Sequence, residues 1–168
     1  MKVTKERRRG SAVLEFTLLG IPVVFLVTSV VSCSIDMWQF YTLSYAVEAT
    51  ARYVVVHGGS CSQNGNSCTI TRGAVATFFE GQAPALDTAK VNITITDGSG
   101  STNCNPVTSC TNSVVQFPAA ANNSVGSDVT IKATYPLTNP IAMFWPGTSG
   151  MRGANFTVGA TTTQRILY

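Results

Sequence analysis

The hydrophobic pattern of the chain begins with an apolar run at 11–35, which holds one charged residue, Glu15. About 20 apolar residues are enough to cross the hydrocarbon core of a bilayer as a helix. The run therefore predicts a transmembrane helix. A carboxylate inside such a helix costs about 2.5–3.5 kcal/mol on insertion scales, which makes Glu15 the first candidate functional residue.

The helical pattern continues past the apolar run. The segment 36–57 contains no Gly or Pro, and Glu48 and Arg52 have the i,i+4 spacing of a helical ion pair. Apolar residues also recur at helical spacing, at Phe40, Leu43, Val47, Ala51 and Val54. Gly58-Gly59 supplies a helix end. One long helix at 11–57 is predicted, with an apolar anchor (11–35) and an amphipathic exported half (36–57).

Several other residues of this helix allow local structural predictions. Pro22 removes one helical hydrogen bond, so a kink or local melting is expected there. His57, at the helix end, is expected to complement the helix dipole. Four aromatic residues cluster where the helix would leave the bilayer, either as an interfacial belt or packed under the exported domain: Trp38, Phe40, Tyr41 and Tyr45.

The pattern of residues 58–168 predicts a small α+β domain with a short helix and three or four strands. The strands are expected to form an antiparallel meander that packs on the amphipathic half of the long helix. The helix is expected at 71–81, where Pro84 closes it. Alternation and turn residues place strands at 91–96 before Asp97-Gly98, briefly at 114–117, at 128–135 before Pro136, and at 156–166. Residues 99–113 read as a polar loop. The segment 137–153 carries Phe144-Trp145-Pro146, as a packed flap or a contact surface.

The net charge of +3 arises from the first ten residues, which hold five of the eleven basic side chains and only Glu6 as an acid. Without them six basic and seven acidic side chains remain, and the basic ones are scattered singly. A nucleic-acid surface needs clustered Lys and Arg, so nucleic acid is not expected as a partner. The basic cluster instead predicts that the N-terminus stays cytoplasmic and that the segment after Ile35 is exported.

The cysteines also favour export. Cys61 and Cys68 lie in one polar loop and Cys104 and Cys110 in another, which suits two local disulfides in an oxidising compartment. Four cysteines allow three pairings, and the spacing alone leaves all three open. Neither pair has the close spacing of a common structural zinc site, so no metal is expected. Cys33, inside the apolar helix, is expected to be a small buried hydrophobic residue.

The sequence offers no catalytic set. It has one histidine, His57, no phosphate-binding loop, and a Gly98-Ser99-Gly100 that lacks the strand-to-helix context of a dinucleotide site. Its exported carboxylates are few and lie mostly at turns or helix ends, so a paired acid/base site is unsupported. We therefore expect no enzyme and no cofactor.

A short basic leader, Gly10, an apolar helix and the pair Glu15-Phe16 together resemble the class III signal of type IV pilins and pseudopilins. The resemblance implies that a prepilin peptidase cuts after Gly10, so that the mature chain begins at Ser11. Glu15-Phe16 is similar to the Glu-Tyr or Glu-Phe pair of the Flp (tight adherence, Tad) branch. Pro22 and the segment 49–53, Ala-Thr-Ala-Arg-Tyr, resemble the TadE-like minor pseudopilins.

The resemblance implies a minor pilin or pseudopilin that serves as a structural or assembly-priming subunit of a Flp/Tad-type pilus or a related secretion apparatus. Residues 1–10 would be a leader. The expected partners are the prepilin peptidase, other pilin subunits and the inner-membrane assembly platform. The expected location is the bacterial inner membrane, with a periplasmic C-terminal domain that can also enter an extracellular pilus. The alternative is a permanently anchored exported binding or adhesion module, which needs neither Gly10 nor Glu15.

Overall fold

The computed structural model describes residues 7–57, 70–137 and 156–167, with side chains from Val13 onward. It consists of a long apolar N-terminal helix and a domain with an antiparallel sheet, which confirms the α+β class. The chain forms two compact units, and the boundary between them crosses the long helix after Asp36. The long helix thus supplies residues to both units.

Helix α1 spans Arg7–Val56 without interruption. The expected start at Ser11 was too late, because the preceding arginines are good helix formers and let the helix begin earlier. The expected local melting at Pro22 was wrong, since the helix runs through this residue. A proline takes away one hydrogen bond, and the turns on either side of Pro22 keep theirs.

The first part of α1 is apolar on all sides and exposed. The segment Val13–Val56 is a candidate membrane span, and only 6% of its most apolar stretch is buried within the chain. Between Val13 and Ile35 the most exposed large side chains are Val13, Leu14, Phe16, Leu18, Leu19, Val24 and Leu26. A water-facing surface rarely carries so large an unbroken apolar patch, so a lipid or protein environment is favoured for this segment.

The second part of α1, from Met37, is amphipathic. Four of the five predicted stripe residues are fully buried or nearly so, namely Leu43, Val47, Ala51 and Val54, while Phe40 is 40% exposed. Trp38, Tyr41 and Tyr45 are each more than 60% exposed, so the aromatic cluster does not pack under the domain. The Glu48–Arg52 ion pair is present.

Helix α1 ends against the second helix of the domain. His57 Nδ1 lies 2.7 Å from the carbonyl oxygen of Tyr53, so the imidazole satisfies a last-turn carbonyl, in keeping with the expected role at the helix end. The Tyr53 ring lies 4.4 Å from the His57 ring and stacks on Phe78, with a centroid distance of 4.2 Å and an interplanar angle of 7°. This aromatic stack joins the last turn of α1 to the domain.

The domain contains one further α-helix and six strands among the described residues. They are β1 (Ile70–Thr71), α2 (Arg72–Gln82), β2 (Asn92–Asp97), β3 (Gly100–Cys104), β4 (Gln116–Phe117), β5 (Asp128–Leu137) and β6 (Phe156–Arg165). The main sheet has the strand order β3-β2-β5-β6, and all its neighbours are antiparallel. Strands β1 and β4 form a separate two-stranded ribbon.

Two sequence expectations about the sheet were wrong. The order is not a simple meander, because β5 pairs with β2 and not with β3. Strand β2 carries the buried Ile93 and Ile95 and therefore takes a central position, whereas β3 is polar and forms an edge. Strand β3 itself lies within the segment expected to be a loop, 99–113.

Strand β5 continues through Pro136, which was expected to stop it. The pairing of β5 with β2 ends at Thr134, opposite Asn92. Beyond that point no residue of β2 lies beside β5, so the N–H that Pro136 lacks is not needed on that side. The proline therefore falls where the sheet tolerates it.

One hydrophobic cluster unites the domain. It combines the buried face of α1 with α2 and with the inward-facing residues of β2 and β5. Phe79 of α2, Ile95 of β2 and Ile131 of β5 are at most 1% exposed within it. The strand residues between them, such as Thr94 and Thr130, lie on the opposite face of the sheet, which is the predicted half-buried arrangement.

Helix α2 starts in close contact with the chain that precedes β4. The N–H of Arg72 donates to the carbonyl of Val115 at 2.8 Å, and the N–H of Gly73 donates to the carbonyl of Ser113 at 3.0 Å. The Thr71 hydroxyl accepts from Ala74 N–H, as an N-cap does. A Cβ at Gly73 would lie 2.4 Å from the carbonyl oxygen of Thr111, so only glycine fits this approach.

Cys104 and Cys110 form a disulfide between β3 and the turn that follows it. Cys33 is free and exposed, so the expectation of a buried side chain was wrong. It faces outward because the first part of α1 has little of its own chain around it. Cys61 and Cys68, Gly58-Gly59, and the Phe144-Trp145-Pro146 segment lie outside the described residues.

Asp97 is a buried carboxylate that ties the β2–β3 turn to a distant loop. It accepts hydrogen bonds from Ser99 N–H at 2.9 Å and from Ala119 N–H at 2.7 Å. Burial by itself raises the pKa of Asp97, but the hydrogen bonds from Ala119, Ser99 and Gly100 outweigh it and leave the pKa below its ordinary value. The charged carboxylate therefore stabilises the fold.

We expect Asp97→Asn to lower the free energy of unfolding by about 1–3 kcal/mol at neutral pH, because the N–H groups of Ala119, Ser99 and Gly100 lose a charged acceptor. The native pKa is depressed, so this stabilisation is present above the unfolded pKa of about 3.9 and is lost as the pH falls through the native value. Denaturant unfolding from pH 7 to pH 2 should show the two proteins converging below about pH 4.

Asp87→Asn is the matched control, since Asp87 is exposed, caps the turn at Ala89 and otherwise makes only an exposed ion pair with Lys90. It should change the free energy of unfolding by less than about 1 kcal/mol. An Asp97→Asn deficit of unchanged size down to pH 2 would show that the carboxylate charge does not carry the effect.

Candidate assembly site

The candidate site lies in the first part of α1, around Glu15. This side chain is exposed, and it has no hydrogen-bond or ion-pair partner among the described residues. Ser11 and Gly10 belong to the same continuous helix. Positions 11 and 15 are four residues apart, so an amine created at Ser11 would lie about one helical turn from the carboxylate.

Four of the five hydroxyl groups between Val13 and Ile35 bond to carbonyls within the helix. The hydroxyl of Thr17 donates to the carbonyls of Val13 and Leu14 at 3.1 and 3.0 Å. The hydroxyls of Thr28, Ser29 and Ser34 likewise bond to carbonyls three or four residues earlier. Such back-bonding lets a hydroxyl enter lipid at little cost. Glu15 differs from these hydroxyl groups, because its carboxylate is charged and has no proton to donate to a helix carbonyl.

A shallow apolar groove follows Glu15 along the helix, with a volume of about 390 Å³. The described residues that line it are Phe16, Thr17, Gly20, Ile21, Val24 and Phe25. A Cβ at Gly20 would meet only the Phe16 ring, at 3.9 Å, so the surface is recessed there. Small residues at such positions let a second helix approach closely in a membrane. The groove thus offers a helix contact next to the carboxylate.

Sequence reasoning placed Glu15, Phe16, Gly10 and Ser11 in one site, and they share the first turns of α1. It did not identify the groove at Gly20. A signal was present, since a glycine in an apolar run leaves a recess between larger neighbours. The carboxylate bonds of Asp97 were also missed, because Asp97-Gly98 was read only as a turn.

A second cavity, of about 370 Å³, lies beside the amphipathic second part of α1, where Tyr45, Glu48, Ala49 and Arg52 line it. Glu48 and Arg52 neutralise each other and are both exposed. Within the described ranges no group of three or more His, Cys, Asp or Glu side chains is placed to hold a metal ion.

The end of β6 is fixed by a two-bond ion pair with β5. Arg165 donates from Nε and Nη2 to the two carboxylate oxygens of Asp128, at 2.8 and 3.2 Å. The hydrogen bond from Arg165 lowers the pKa of Asp128 from its ordinary value. The pair aligns β5 and β6 at the end of their register, where these two residues are opposite.

Comparisons of the chain with protein-family models, with curated proteins and with solved structures found no match.

Proposed function

We propose that this chain is a minor pilin or pseudopilin of the Flp/Tad type, a structural or assembly-priming subunit that a prepilin peptidase processes after Gly10. The observation that carries the proposal is Glu15. It is the one charged side chain between Val13 and Ile35, it has no partner among the described residues, and it lies five positions after Gly10. A plain membrane anchor has no use for such a carboxylate, whose insertion is costly.

The continuity of α1 supports the same function. One helix supplies both the apolar span and four of the most buried residues of the domain core. The same helix therefore belongs both to the proposed membrane anchor and to the proposed exported domain. The basic leader favours a cytoplasmic N-terminus, and the Cys104–Cys110 disulfide favours export of the domain into the periplasm.

In the proposed mechanism, cleavage creates an amine at Ser11, and the helix then leaves the lipid to pack with its neighbours. A neighbouring helix shifted along the axis brings its own Ser11 amine to Glu15, and the two charges neutralise each other. The groove at Gly20 admits the neighbouring helix at close range. Neutralisation of the buried Glu15 charge then contributes favourable free energy to association and fixes the axial position of one helix relative to the next.

The change Gly10→Leu tests the processing step. A branched side chain at the cut should prevent the backbone from entering the peptidase, so the ten-residue leader should stay attached. Ala12→Leu, beyond the cut, serves as a control that adds a similar side chain and should still be processed. Immunoblotting of membranes would separate the two forms by size. Removal of the leader from Gly10→Leu would show that the cut does not depend on Gly10, and an uncut wild-type chain would favour the anchored binding module over the pilin subunit.

A further inference from the structure

Within the described residues, strand β6 has an open hydrogen-bonding edge. The N–H of Ile166 donates to Ser127 at 2.9 Å and its carbonyl accepts from Gly126 at 2.8 Å, so Ile166 faces the β5 side. Facing alternates along an antiparallel strand, so even-numbered residues of β6 bond to β5. The N–H and C=O groups that point away from β5 belong to Thr157, Gly159, Thr161, Thr163 and Arg165.

This edge lacks the features that usually prevent an edge strand from pairing with another chain. It is ten residues long, contains no proline, and carries one charged side chain, Arg165, which Asp128 already neutralises. The opposite edge is different. Strand β3 has five residues, and the turn closed by the Cys104–Cys110 disulfide lies against it. The two edges of the sheet thus differ, and in the part of the chain that the structure describes only β6 has an edge free to pair.

The hydrophobic core is also unfinished beside β6. Val158 and Ala160 pack against the core cluster but are only half-buried, and so is Leu137 at the end of β5. Phe156 is 63% exposed. A further strand about 4.8 Å from β6 would cover the margin of this core with its own inward-facing side chains. Two independent features, the free backbone groups and the exposed core margin, therefore indicate the same occupant.

The charge of Lys132 indicates which side chains an added strand should carry. Lys132 of β5 is exposed, lies directly opposite Thr161, and has no carboxylate partner among the described residues. Its side chain is long enough to extend over β6 toward an added strand. An acidic residue on the polar side of that strand would complement it.

A second copy of this chain is a poor occupant under the proposed topology. Two β6 strands paired around a two-fold axis would turn the two domains, and with them the exported halves of α1, in opposite directions. Two helices that leave the same membrane cannot run in opposite directions. Pairing of β6 with β3 of a second copy would keep the helices parallel, but β3 is too short to match the edge.

We propose that β6 binds an extended segment of a neighbouring pilus subunit, which adds a fifth strand to the sheet and places an acidic side chain near Lys132. The identity of the partner as a subunit rests on the proposed function. The partner strand carries alternating apolar residues on the core side and polar residues on the other side.

Hydrogen exchange of the full chain tests this pairing. The chain is labelled in native membranes and, separately, as a detergent-solubilised monomer, and its amides are resolved by fragmentation mass spectrometry. The odd-numbered amides of β6 should exchange at least about tenfold more slowly in native membranes than in the monomer. The even-numbered amides should be protected in both samples. Fast exchange of the odd-numbered amides in native membranes, or equal protection in the monomer, would overturn the proposal.

The variant Thr161→Pro removes one outward N–H and leaves the bonds to β5 in place. It should abolish the added protection at Gly159 and Thr163, whereas Thr161→Val should keep it. Retained protection in Thr161→Pro would also overturn the proposal.

The presence or absence of the ten-residue leader on the same chain distinguishes failure of the strand pairing from failure of the proposed function. If the odd-numbered amides are protected but the leader is still attached, the proposed function is wrong and the strand pairing stands. If the leader has been removed but these amides are not protected, the strand pairing is wrong and the proposed function stands.

Discussion

Replacement of Glu15 by alanine is expected to yield a chain that is exported, folded and disulfide-bonded, but that no longer co-purifies with its partner subunits. Glu15 is exposed on an apolar helix and lacks a partner among the described residues. In the assembly, its pairing with the Ser11 amine of a neighbour would relieve part of an insertion cost of about 2.5–3.5 kcal/mol. Loss of this pairing energy should reduce recovery of the complex by at least about tenfold.

Two further variants separate charge from shape. Glu15→Gln keeps the size of the side chain and should fail in the same way, because the neutral amide cannot pair with a cationic amine as a carboxylate does. Glu48→Ala, which breaks an exposed ion pair on the exported half of the same helix, should co-purify normally. Wild-type recovery of partners by Glu15→Ala would show that the carboxylate has no role in assembly.

The largest effect on folding is expected for Gly73→Ala. The new methyl group would lie 2.4 Å from the carbonyl oxygen of Thr111 and 2.7 Å from that of Ser113. Both atoms are backbone, and Ser113 is held by its hydrogen bond from Gly73 itself. Relief of the overlap must shift α2 away from this segment, at a cost of about 3 kcal/mol. Thermal unfolding of the chain should show a Tm lower by about 10 °C or more.

Gly81→Ala provides the matched control, in the same helix. A Cβ at Gly81 meets no atom within 4 Å. Alanine has the higher helix propensity and restricts the unfolded chain, so this variant should be more stable by about 0.5–1 kcal/mol. Equal stability of the two variants would contradict the close approach of α2 to residues 111–113.

The sequence predicted the elements whose pattern persists over many residues. The stripe from Leu43 to Val54 keeps its period through several turns, so the amphipathic second part of α1 could be predicted directly. Strands β2 and β5 alternate between buried Ile and partly exposed Thr or Lys, so they were placed to within two residues. The fold class follows from these elements.

The pairing of strands could not be read in the same way. Strand β3 is Gly-Ser-Thr-Asn-Cys and has no apolar alternation, because as a short edge strand it buries little. The proline at 136 was taken as a stop, but its effect depends on whether another strand lies beside it. Both errors concern neighbours distant in sequence, which local patterns do not encode.

The candidate site could be predicted in part. Glu15 was recognisable because one charge in a long apolar run is costly wherever it lies. The bonds of Asp97 were not recognisable, since one of its donors, Ala119, is 22 residues away. The open edge of β6 was equally hidden, because it depends on which strand ends the sheet.

The measurement that tests the central claim most directly is the intact mass of the chain from native membranes, combined with its N-terminal sequence. The proposed function predicts a mature protein that begins at Ser11 and lacks the first ten residues. A chain that still carries Arg7 to Gly10 would contradict processing by a prepilin peptidase, and with it the role of Ser11 and Glu15 in assembly.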